Sequence, residues 1–293
     1  MVRCILLDIE GTTCPVSFVA SVLFPYAREH LGPFLAANQG DPDVAGLMKD
    51  VEAAWEADPH REAQQLRQAA LNQPIPVASV QAEANTADAP AAAPPAATIV
   101  PPTNASTVAS TLLPAKVPTK VPTVAPTVVP YLRWLIDHDI KLTALKDLQG
   151  RVWTAGYACG DLVAPLFNDV APTLKRWHHQ GYQLAVYSSG SVAAQQLLYR
   201  HSNHGNLEGL FSHWFDTRIG PKQAPASYHA IAAALQLAPA EILFVSDAIA
   251  EIEAAHASGM AVRFSDRQGN PGRDPGGFQA ITSLAEIQLP AGA

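Results

Sequence analysis

The sequence predicts an α/β protein in which a Rossmann-like parallel sheet forms the core and a helical cap is inserted after the first strand. Residues 3–8 contain a short apolar run that ends at Asp8, a pattern typical of a strand buried on both faces of a sheet. A long stretch of helical periodicity follows, and from residue 173 onward helical and strand patterns alternate. Because such alternation is typical of parallel strands joined by right-handed crossovers, we expect both ends of the chain to share one sheet.

The composition is that of a globular protein, and it excludes one class of partner. The chain has 293 residues, of which 48% are hydrophobic and 15% are charged, and its net charge is −7. A sequence-independent nucleic-acid binder needs a basic surface, so we expect no nucleic-acid partner. An anionic substrate would need a metal ion or a lysine at its binding site to offset the negative charge of the protein.

The cysteines and the apolar runs predict a soluble cytoplasmic protein. Cys4, Cys14 and Cys159 form no CxxC pair and are odd in number, so we expect neither a disulfide framework nor a zinc site. No apolar run reaches the roughly 18 residues that span a membrane, and the N-terminal run meets Asp8 too early for a signal peptide. We therefore expect a reducing compartment and no membrane partner. We also expect a monomer.

The segment after the first strand predicts helices. From Val16 to about Gln73 the apolar residues recur with a helical period, and Asp41 followed by Pro42 has the pattern of an N-cap and a first helical position. The helical pattern resumes at Tyr131. Two apolar stripes define the predicted buried faces, namely Val19, Val22, Leu23 and Tyr26 in the first and Val44, Leu47, Met48, Val51 and Trp55 in the second.

A proline-rich insertion interrupts the predicted cap at about residues 79–129. Ala, Thr and Val alternate there with prolines in PTxV-like phrases, and each proline removes a backbone donor and fixes φ. We expect a flexible insertion with polyproline II character, and a docking site for an SH3-like partner is the alternative. The predicted domains are a core of residues 1–14 and 165–293 and a cap of residues 15–164.

The remaining chain predicts four further strands with helices between them. The strand candidates are residues 184–188, 213–217, 242–247 and 261–264. The helical segments are residues 173–180, 191–201, 225–236 and 250–258. Together with residues 3–8 these segments predict a parallel sheet with helical crossovers.

Polar side chains follow the predicted strands at their carboxyl ends, the edge at which open α/β sheets bind ligands. They are Asp8 and Glu10 after the first strand, Ser188 and Ser189 after the second, Lys222 in the loop beyond the third, and Asp247 after the fourth. Each has an ordinary explanation by itself, because strand-terminal Asp and Ser often cap helices and a loop lysine is usually solvated. Their joint occurrence at one edge indicates a functional site.

The chemistry that needs this set is phosphoryl transfer through a covalent aspartyl-phosphate. A carboxylate such as Asp8 can attack phosphorus and form an intermediate that water later hydrolyses. Because the attacking group and the substrate are both anionic, we expect a Mg²⁺ ion held by Asp8 and Asp247 to offset their repulsion. Lys222 supplies a second positive charge.

Neighbouring residues complete this scheme. Ser188 and free backbone N–H groups near Gly190 can bind the phosphoryl oxygens as charge spreads over them. Glu10 is placed to protonate the leaving oxygen and afterwards to activate water. Gly11 lets the backbone turn tightly beside the phosphate.

The order of these motifs resembles the haloacid dehalogenase superfamily, whose fold is a Rossmann-like core with a cap. The matching motifs are DxEGT after the first strand, SSG after the second, the loop lysine, and SDxxxE, which ends at Glu251. More narrowly, the phrases LLDIEGTTCPVSFV, TALKDLQGRVW, VYSSGSVAAQ and FDTRIG resemble the acireductone synthase family, the enolase-phosphatases of methionine salvage. The resemblance covers residues 3–78 and 131–289 and leaves out the proline-rich insertion.

The resemblance implies a two-step reaction on 2,3-diketo-5-methylthiopentyl 1-phosphate with one Mg²⁺ per subunit. The diketone is first enolised, and hydrolysis of the phosphate ester then gives 1,2-dihydroxy-3-keto-5-methylthiopentene, an acireductone, and phosphate. The implied roles are Asp8 as nucleophile and metal ligand, Glu10 as metal-associated acid and base, Asp247 as metal ligand, and Ser188, Ser189 and Lys222 as substrate contacts.

Several alternatives share the scaffold or part of the site. Dehalogenases do not need the second acid, and phosphonatases rely on a cap lysine that forms a Schiff base, so Glu10 and Asp247 favour a phosphatase. A phosphatase of another small phosphorylated metabolite, such as a sugar phosphate, is the main alternative within this class. A non-catalytic scaffold that binds partners through its proline-rich arm is a further alternative, but such a protein has little reason to retain every reactive group.

Overall fold

The computed structural model describes residues 1–72, 128–271 and 274–290. Nearly all of the predicted insertion at residues 79–129 lies outside this part of the chain, so its proposed flexibility stays a prediction. Within the described ranges, none of the helices is both long and apolar enough to cross a membrane.

Six parallel strands of the described chain form one sheet in the order β3-β2-β1-β4-β5-β6. The strands are β1 Cys4–Leu7, β2 Gln183–Tyr187, β3 His213–Phe215, β4 Ile242–Ser246, β5 Ala261–Ser265 and β6 Ala280–Ile281. Because β1 lies between β2 and β4, the chain leaves its first strand, passes through a long helical segment and then pairs on both sides of that strand. The predicted parallel sheet is confirmed.

The first five strands coincide with the predicted strands to within about two residues at each end. The sixth strand, β6, is not among the predicted strands; it is 2 residues long and follows a stretch rich in glycine and proline. Two residues are too few to show the alternation by which a strand is recognised in a sequence.

Helices precede and separate the later strands. Those between β1 and β2 are α1 Phe24–Ala37, α2 Pro42–Ala57, α3 Arg61–Leu71, α4 Val129–Asp137, α5 Thr143–Cys159 and α6 Val170–His179. Those that follow are α7 Val192–Arg200, α8 Pro225–Leu235 and α9 Ile249–Ala257, with short 3₁₀ turns at Glu208–Leu210, Pro239–Glu241 and Leu284–Glu286. The helices predicted between the strands are confirmed.

The first predicted apolar stripe is only partly right. Residues Val19–Leu23 form a π-helical turn directly before α1. Leu23 is buried, whereas Val22 is 40% exposed. The hydrogen bonds of a π turn span one residue more than those of an α-helix, so positions chosen for an α-helical stripe no longer share one face.

The second stripe and its cap are confirmed. Val44, Val51 and Trp55 are buried on one face of α2. The side chain of Asp41 accepts hydrogen bonds from the backbone N–H groups of Asp43 and Val44, and a proline occupies the first helical position as predicted.

The side chains of β1 alternate between two apolar clusters on opposite faces of the sheet. Ile5 and Leu7 belong to the cluster that also includes buried residues of α1 to α7. Cys4 and Leu6 belong to the other cluster, together with α8 and α9. All four side chains are fully buried, which explains why β1 is a continuous apolar run in the sequence.

Candidate active site

The predicted site residues lie at one edge of the sheet. Asp8 directly follows β1, Ser188 follows β2 and Asp247 follows β4. Because the strands are parallel, their carboxyl ends meet at this edge. All three side chains are buried, so each of the three central strands ends in a buried polar group.

Lys222 reaches the same edge from the loop after β3, and it is not the solvated lysine that its loop position suggests. The residue is 6% exposed. Its Nζ lies 2.7 Å from Asp8 Oδ1 and 2.7 Å from Glu251 Oε2. Burial alone would lower the pKa of Lys222, but Asp8 and Glu251 raise it above its ordinary value, so the ammonium stays charged.

Two tyrosines hold the lysine in this position. The hydroxyl of Tyr228 donates a hydrogen bond of 2.7 Å to the carbonyl oxygen of Lys222. The ring centre of Tyr187 lies 5.6 Å from Lys222 Nζ, within the range of a cation–π contact. The ammonium is therefore placed by fixed contacts.

Glu251 is a site residue to which the sequence analysis gave no role. It stands in the first turn of α9, is buried, and accepts a hydrogen bond of 2.9 Å from Ser246 Oγ. The sequence feature that could have identified Glu251 is its spacing of four residues from Asp247 in the SDxxxE motif, which places Glu251 one helical turn beyond the strand end. Asp8, Lys222 and Glu251 form a buried group that we call the ion triad.

Glu10 lies among the carboxyl groups of this edge. Burial raises the pKa of Glu10 to about 7, the charge of Asp8 acts in the same direction, and Lys222 opposes both. Asp247 and Glu251 add smaller effects that also raise the pKa. A carboxyl group with a pKa near neutrality can both give and take a proton, as a general acid and base must.

A tight turn over residues 9–14, which we call the catalytic turn, carries Glu10. The carbonyl oxygen of Ile9 accepts hydrogen bonds from three backbone N–H groups further along the turn. Gly11 has a φ of +68°, and a Cβ at this position would lie 2.3 Å from Asp247 Oδ2. Glycine is therefore needed both for the backbone conformation and for the close approach of Asp247.

The loop after β2 brings the predicted serines to this edge. Ser188 Oγ accepts a hydrogen bond of 3.3 Å from the backbone N–H of Gly190, so this N–H is not the unbonded donor that the sequence analysis expected. The hydroxyl proton of Ser188 is not used in this hydrogen bond. Ser189 is exposed, and its carbonyl oxygen lies 3.5 Å from Nζ of Lys146, which α5 brings to the loop.

The donor set at this edge fits Mg²⁺. Asp8 and Asp247 offer carboxylate oxygens at the ends of neighbouring strands. No group of three or more His, Cys, Asp or Glu side chains within residues 1–72, 128–271 and 274–290 is arranged to hold a metal, so the predicted set that includes Glu10 is not a preformed cage. Mg²⁺ does not need one, because it keeps several waters and binds through one or two carboxylates and the substrate phosphate.

Comparison with known proteins agrees with this geometry. The family model of the haloacid dehalogenase-like hydrolases matches residues 2–259. The crystal structure of the UTR4 protein from Saccharomyces cerevisiae shares the fold, with a TM-score of 0.63 and 24% identity over 98% of this chain and 100% of that chain.

Two curated relatives match almost the whole chain. Enolase-phosphatase E1 of Parasynechococcus marenigrum (strain WH8102) is 41% identical over 283 residues, which cover 97% of this chain and 96% of the relative. Enolase-phosphatase E1 of Synechococcus sp. (strain RCC307) is 40% identical over 290 residues, which cover 99% and 95%. This chain therefore belongs to the haloacid dehalogenase-like hydrolases and, within them, to the family of enolase-phosphatase E1.

Proposed function

We propose that the chain is a Mg²⁺-dependent enolase-phosphatase of methionine salvage, which converts 2,3-diketo-5-methylthiopentyl 1-phosphate to acireductone and phosphate. The observation that carries this proposal is the ion triad, in which Lys222 Nζ lies 2.7 Å from both Asp8 Oδ1 and Glu251 Oε2. Relatives named enolase-phosphatase E1 support the choice of reaction and substrate.

Asp8 is the proposed nucleophile. Lys222 holds its Oδ1, which orients the carboxylate and directs the other oxygen to the phosphorus atom. Attack forms an O–P bond to Asp8 and breaks the P–O bond of the ester, whose oxygen leaves with the electron pair. Water then attacks the phosphorus atom of the aspartyl-phosphate, which restores the carboxylate and releases phosphate.

Glu10 is the proposed acid and base of the phosphatase step. With a pKa of about 7, it is partly protonated at neutral pH and can give its proton to the leaving oxygen. The resulting carboxylate can then take a proton from the attacking water. Glu10→Gln should therefore suppress phosphate release while the protein stays folded. Direct coordination of the metal by the Glu10 side chain stays a prediction from the sequence.

Ser188, Ser189 and Lys222 are the proposed contacts of the phosphorylated substrate. Because Ser188 Oγ already accepts a hydrogen bond from Gly190, its own proton can be donated to a phosphoryl oxygen. Lys222 adds a fixed positive charge beneath the two anions that must meet. Ser189 lies on the exposed side of the same loop, toward α5.

Asp8 and Asp247 would hold one Mg²⁺ per subunit, which when bound supplies the positive charge that lets a carboxylate approach a phosphate. Excess EDTA should stop the reaction, and added Mg²⁺ should restore it. Full activity in excess chelator would contradict this metal site.

One assay tests the proposed function. The purified chain is incubated with the diketone phosphate and Mg²⁺, and enediol absorbance and phosphate release are followed together. We expect both signals, with the enediol signal appearing no later than phosphate. Phosphate release from other esters without an enediol signal would indicate a phosphatase of another small metabolite, and the absence of both signals from the diketone phosphate would overturn the proposal.

A further inference from the structure

The carbonyl groups of the catalytic turn are held by side chains from the segment after β5. The carbonyl oxygen of Gly11 accepts hydrogen bonds from Ser265 Oγ and from Asn270 Nδ2, each of 2.9 Å. The carbonyl oxygen of Thr12 accepts a hydrogen bond of 3.0 Å from Arg267 Nε. These carbonyls belong to the two residues that directly follow Glu10, the proposed acid and base. Their orientation therefore determines the path of the backbone directly after Glu10.

Arg267 is itself fixed by a buried network. It is 4% exposed, and its Nη1 donates to both carboxylate oxygens of Asp169 at 2.9 Å and to the carbonyl oxygen of Thr282 at 3.0 Å. Its guanidinium carbon lies 4.7 Å from the ring centre of Phe167, whose backbone N–H donates to Thr13 in the catalytic turn. The arginine therefore connects the turn to the start of α6 and to the segment after β6.

Stability alone does not explain this buried network. Burial of a charged guanidinium is costly, and replacement of a buried ion pair by apolar side chains of similar volume is often neutral or stabilising. In addition, Arg267 Nη2 and Thr12 Oγ1 are buried without a hydrogen-bond partner. A polar network with unsatisfied atoms beside reacting groups points to a role in their placement.

Asn270 also lies against the face of the catalytic turn that contacts Asp247, a proposed metal ligand. A Cβ on Gly11 would lie 2.9 Å from Asn270 Nδ2 and 2.3 Å from Asp247 Oδ2. The two side chains therefore flank the same side of Gly11. A shift of Asn270 or of its hydrogen bond would change the spacing between the turn and Asp247.

We propose that Ser265, Arg267 and Asn270, which we call the C-terminal clamp, are positioning residues that hold the catalytic turn and thereby place Glu10 for proton transfer. The inference rests on the proposed function, and the clamp lies beyond residues 2–259, which the family model matches. The clamp acts through the backbone of the turn. Small displacements of reacting groups reduce rates strongly, so clamp variants should lose turnover more than substrate affinity.

The first experiment measures how well the backbone of the catalytic turn is protected from hydrogen exchange, and it needs no substrate. Amide hydrogen exchange of a peptide covering the catalytic turn is compared in the parent, Arg267→Met and the control Arg28→Met. Arg28 is the control for loss of a paired arginine away from the turn, because its exposed guanidinium pairs with Asp137 through two hydrogen bonds of 2.6 and 2.9 Å in the helical segment. We expect exchange in the turn to be faster by about tenfold in Arg267→Met and unchanged in Arg28→Met. Parental exchange in Arg267→Met would overturn the proposal.

The second experiment separates placement from stability by measuring kcat and KM on the diketone phosphate well below the melting temperature of each variant. Arg267→Met and Asn270→Ala should lower kcat by about 10- to 100-fold. KM and the inhibition constant of inorganic phosphate should change by less than about threefold, because the clamp holds the turn rather than the phosphate. Arg267→Lys, which keeps the charge toward Asp169, should recover part of the lost kcat.

The outcomes are distinguishable. If Arg267→Met does not fold, Asn270→Ala decides, because it leaves the pair between Arg267 and Asp169 intact. Folded variants with parental kcat, or with only KM raised, overturn the clamp. A parent that forms no product would count against the proposed function, whereas faster exchange of the turn in Arg267→Met or Asn270→Ala would still support the holding role of the clamp.

Discussion

At the scale of single residues, the burial of Asp8 depends on the groups that surround it. A buried carboxylate is costly to desolvate unless a positive charge and hydrogen bonds compensate for the lost water. Lys222 supplies that charge to Asp8 and to Glu251 at the same distance of 2.7 Å. One lysine therefore keeps two carboxylates buried at the edge where the sheet presents its reacting groups.

Replacement of Lys222 by Met should destabilise the protein and suppress phosphate release. The methionine fills a similar volume but leaves two buried carboxyl groups without their positively charged partner, which costs about 3–5 kcal/mol in the free energy of unfolding. Urea unfolding at pH 7 measures this loss, with Lys175→Met on the exposed side of α6 as the control. Parental stability of Lys222→Met would show that the ion triad does not form in solution.

Glu10→Gln should alter stability in a pH-dependent way in the metal-free protein. Because burial and Asp8 raise the pKa of Glu10 from 4.5 to about 7, the folded state favours the protonated acid. The stability from this preference is fully present below about pH 4.5 and is lost as the pH rises through about 7.

The glutamine variant stays neutral, so with EDTA present it should be more stable than the parent at pH 8, by about 3 kcal/mol, and nearly equal to it at pH 4. Thermal melting at both pH values measures the difference. A variant that is less stable than the parent at pH 8 would show that burial and the charge of Asp8 do not raise the pKa of Glu10.

The site residues that could be predicted from the sequence are those next to strand ends. Asp8, Ser188 and Asp247 each follow a recognisable apolar run, and the topology of a parallel sheet brings such residues together. The burial of Lys222 and the contacts of Arg267 could not be predicted. They depend on partners more than 200 positions away, such as Asp8 for the lysine and Thr12 for the arginine, and no local pattern encodes such contacts.

At the scale of elements, the boundaries of α2 follow directly from local chemistry. Asp41 accepts a hydrogen bond of 2.8 Å from the N–H of Asp43 and one of 3.4 Å from Val44, which satisfies donors that have no partner within the helix. The buried positions of α2 then repeat at the helical period. A helix with a clear cap and stripe is therefore predictable from its own residues.

Asp41→Ala should lower the free energy of unfolding by about 1 kcal/mol, the usual cost of a lost N-cap, and should leave kcat close to the parental value. Asp50→Ala on the exposed face of the same helix is the control and should change the stability little. Equilibrium unfolding in urea compares the three proteins. Equal stability of both variants would mean that this cap contributes nothing to the fold.

Elements with weak local signals were mispredicted. The π-helical turn at Val19–Leu23 looks like the start of an ordinary helix in the sequence, because its apolar residues fit either period over so few positions. The strand β6 pairs with β5 through two residues only, so tertiary pairing rather than local propensity determines it. Both errors concern segments shorter than the patterns used to detect them.

At the scale of the whole molecule, the two sides of the proline-rich insertion are joined by direct contacts. The ring of Trp55 in α2 stacks on the ring of Tyr131 in α4, with centres 5.1 Å apart. The hydroxyl of Tyr131 also donates a hydrogen bond of 2.6 Å to Asp58. We propose that residues 15–164 act as the cap and that these helices position it without help from the insertion.

Replacement of residues 84–126 by a short Gly/Ser connection should leave kcat and the melting temperature close to the parental values. Loop-closure entropy changes by only about 0.6 kcal/mol for each doubling of loop length, so the insertion costs little and its removal gains little. Kinetics and thermal melting of the shortened protein measure both effects. Loss of activity in a folded shortened protein would show that the insertion takes part in cap closure or substrate entry.

The most direct test of the central claim is to trap the phosphate on Asp8. The protein is mixed with the diketone phosphate and Mg²⁺, quenched in acid during turnover and treated with borohydride, which reduces an aspartyl-phosphate to homoserine. Peptide mass spectrometry then identifies whether position 8 holds aspartate or homoserine. The account predicts homoserine at position 8 in the parent and neither homoserine nor phosphate release in Asp8→Asn. An unmodified Asp8 throughout a productive turnover, or full phosphate release by Asp8→Asn, would contradict it.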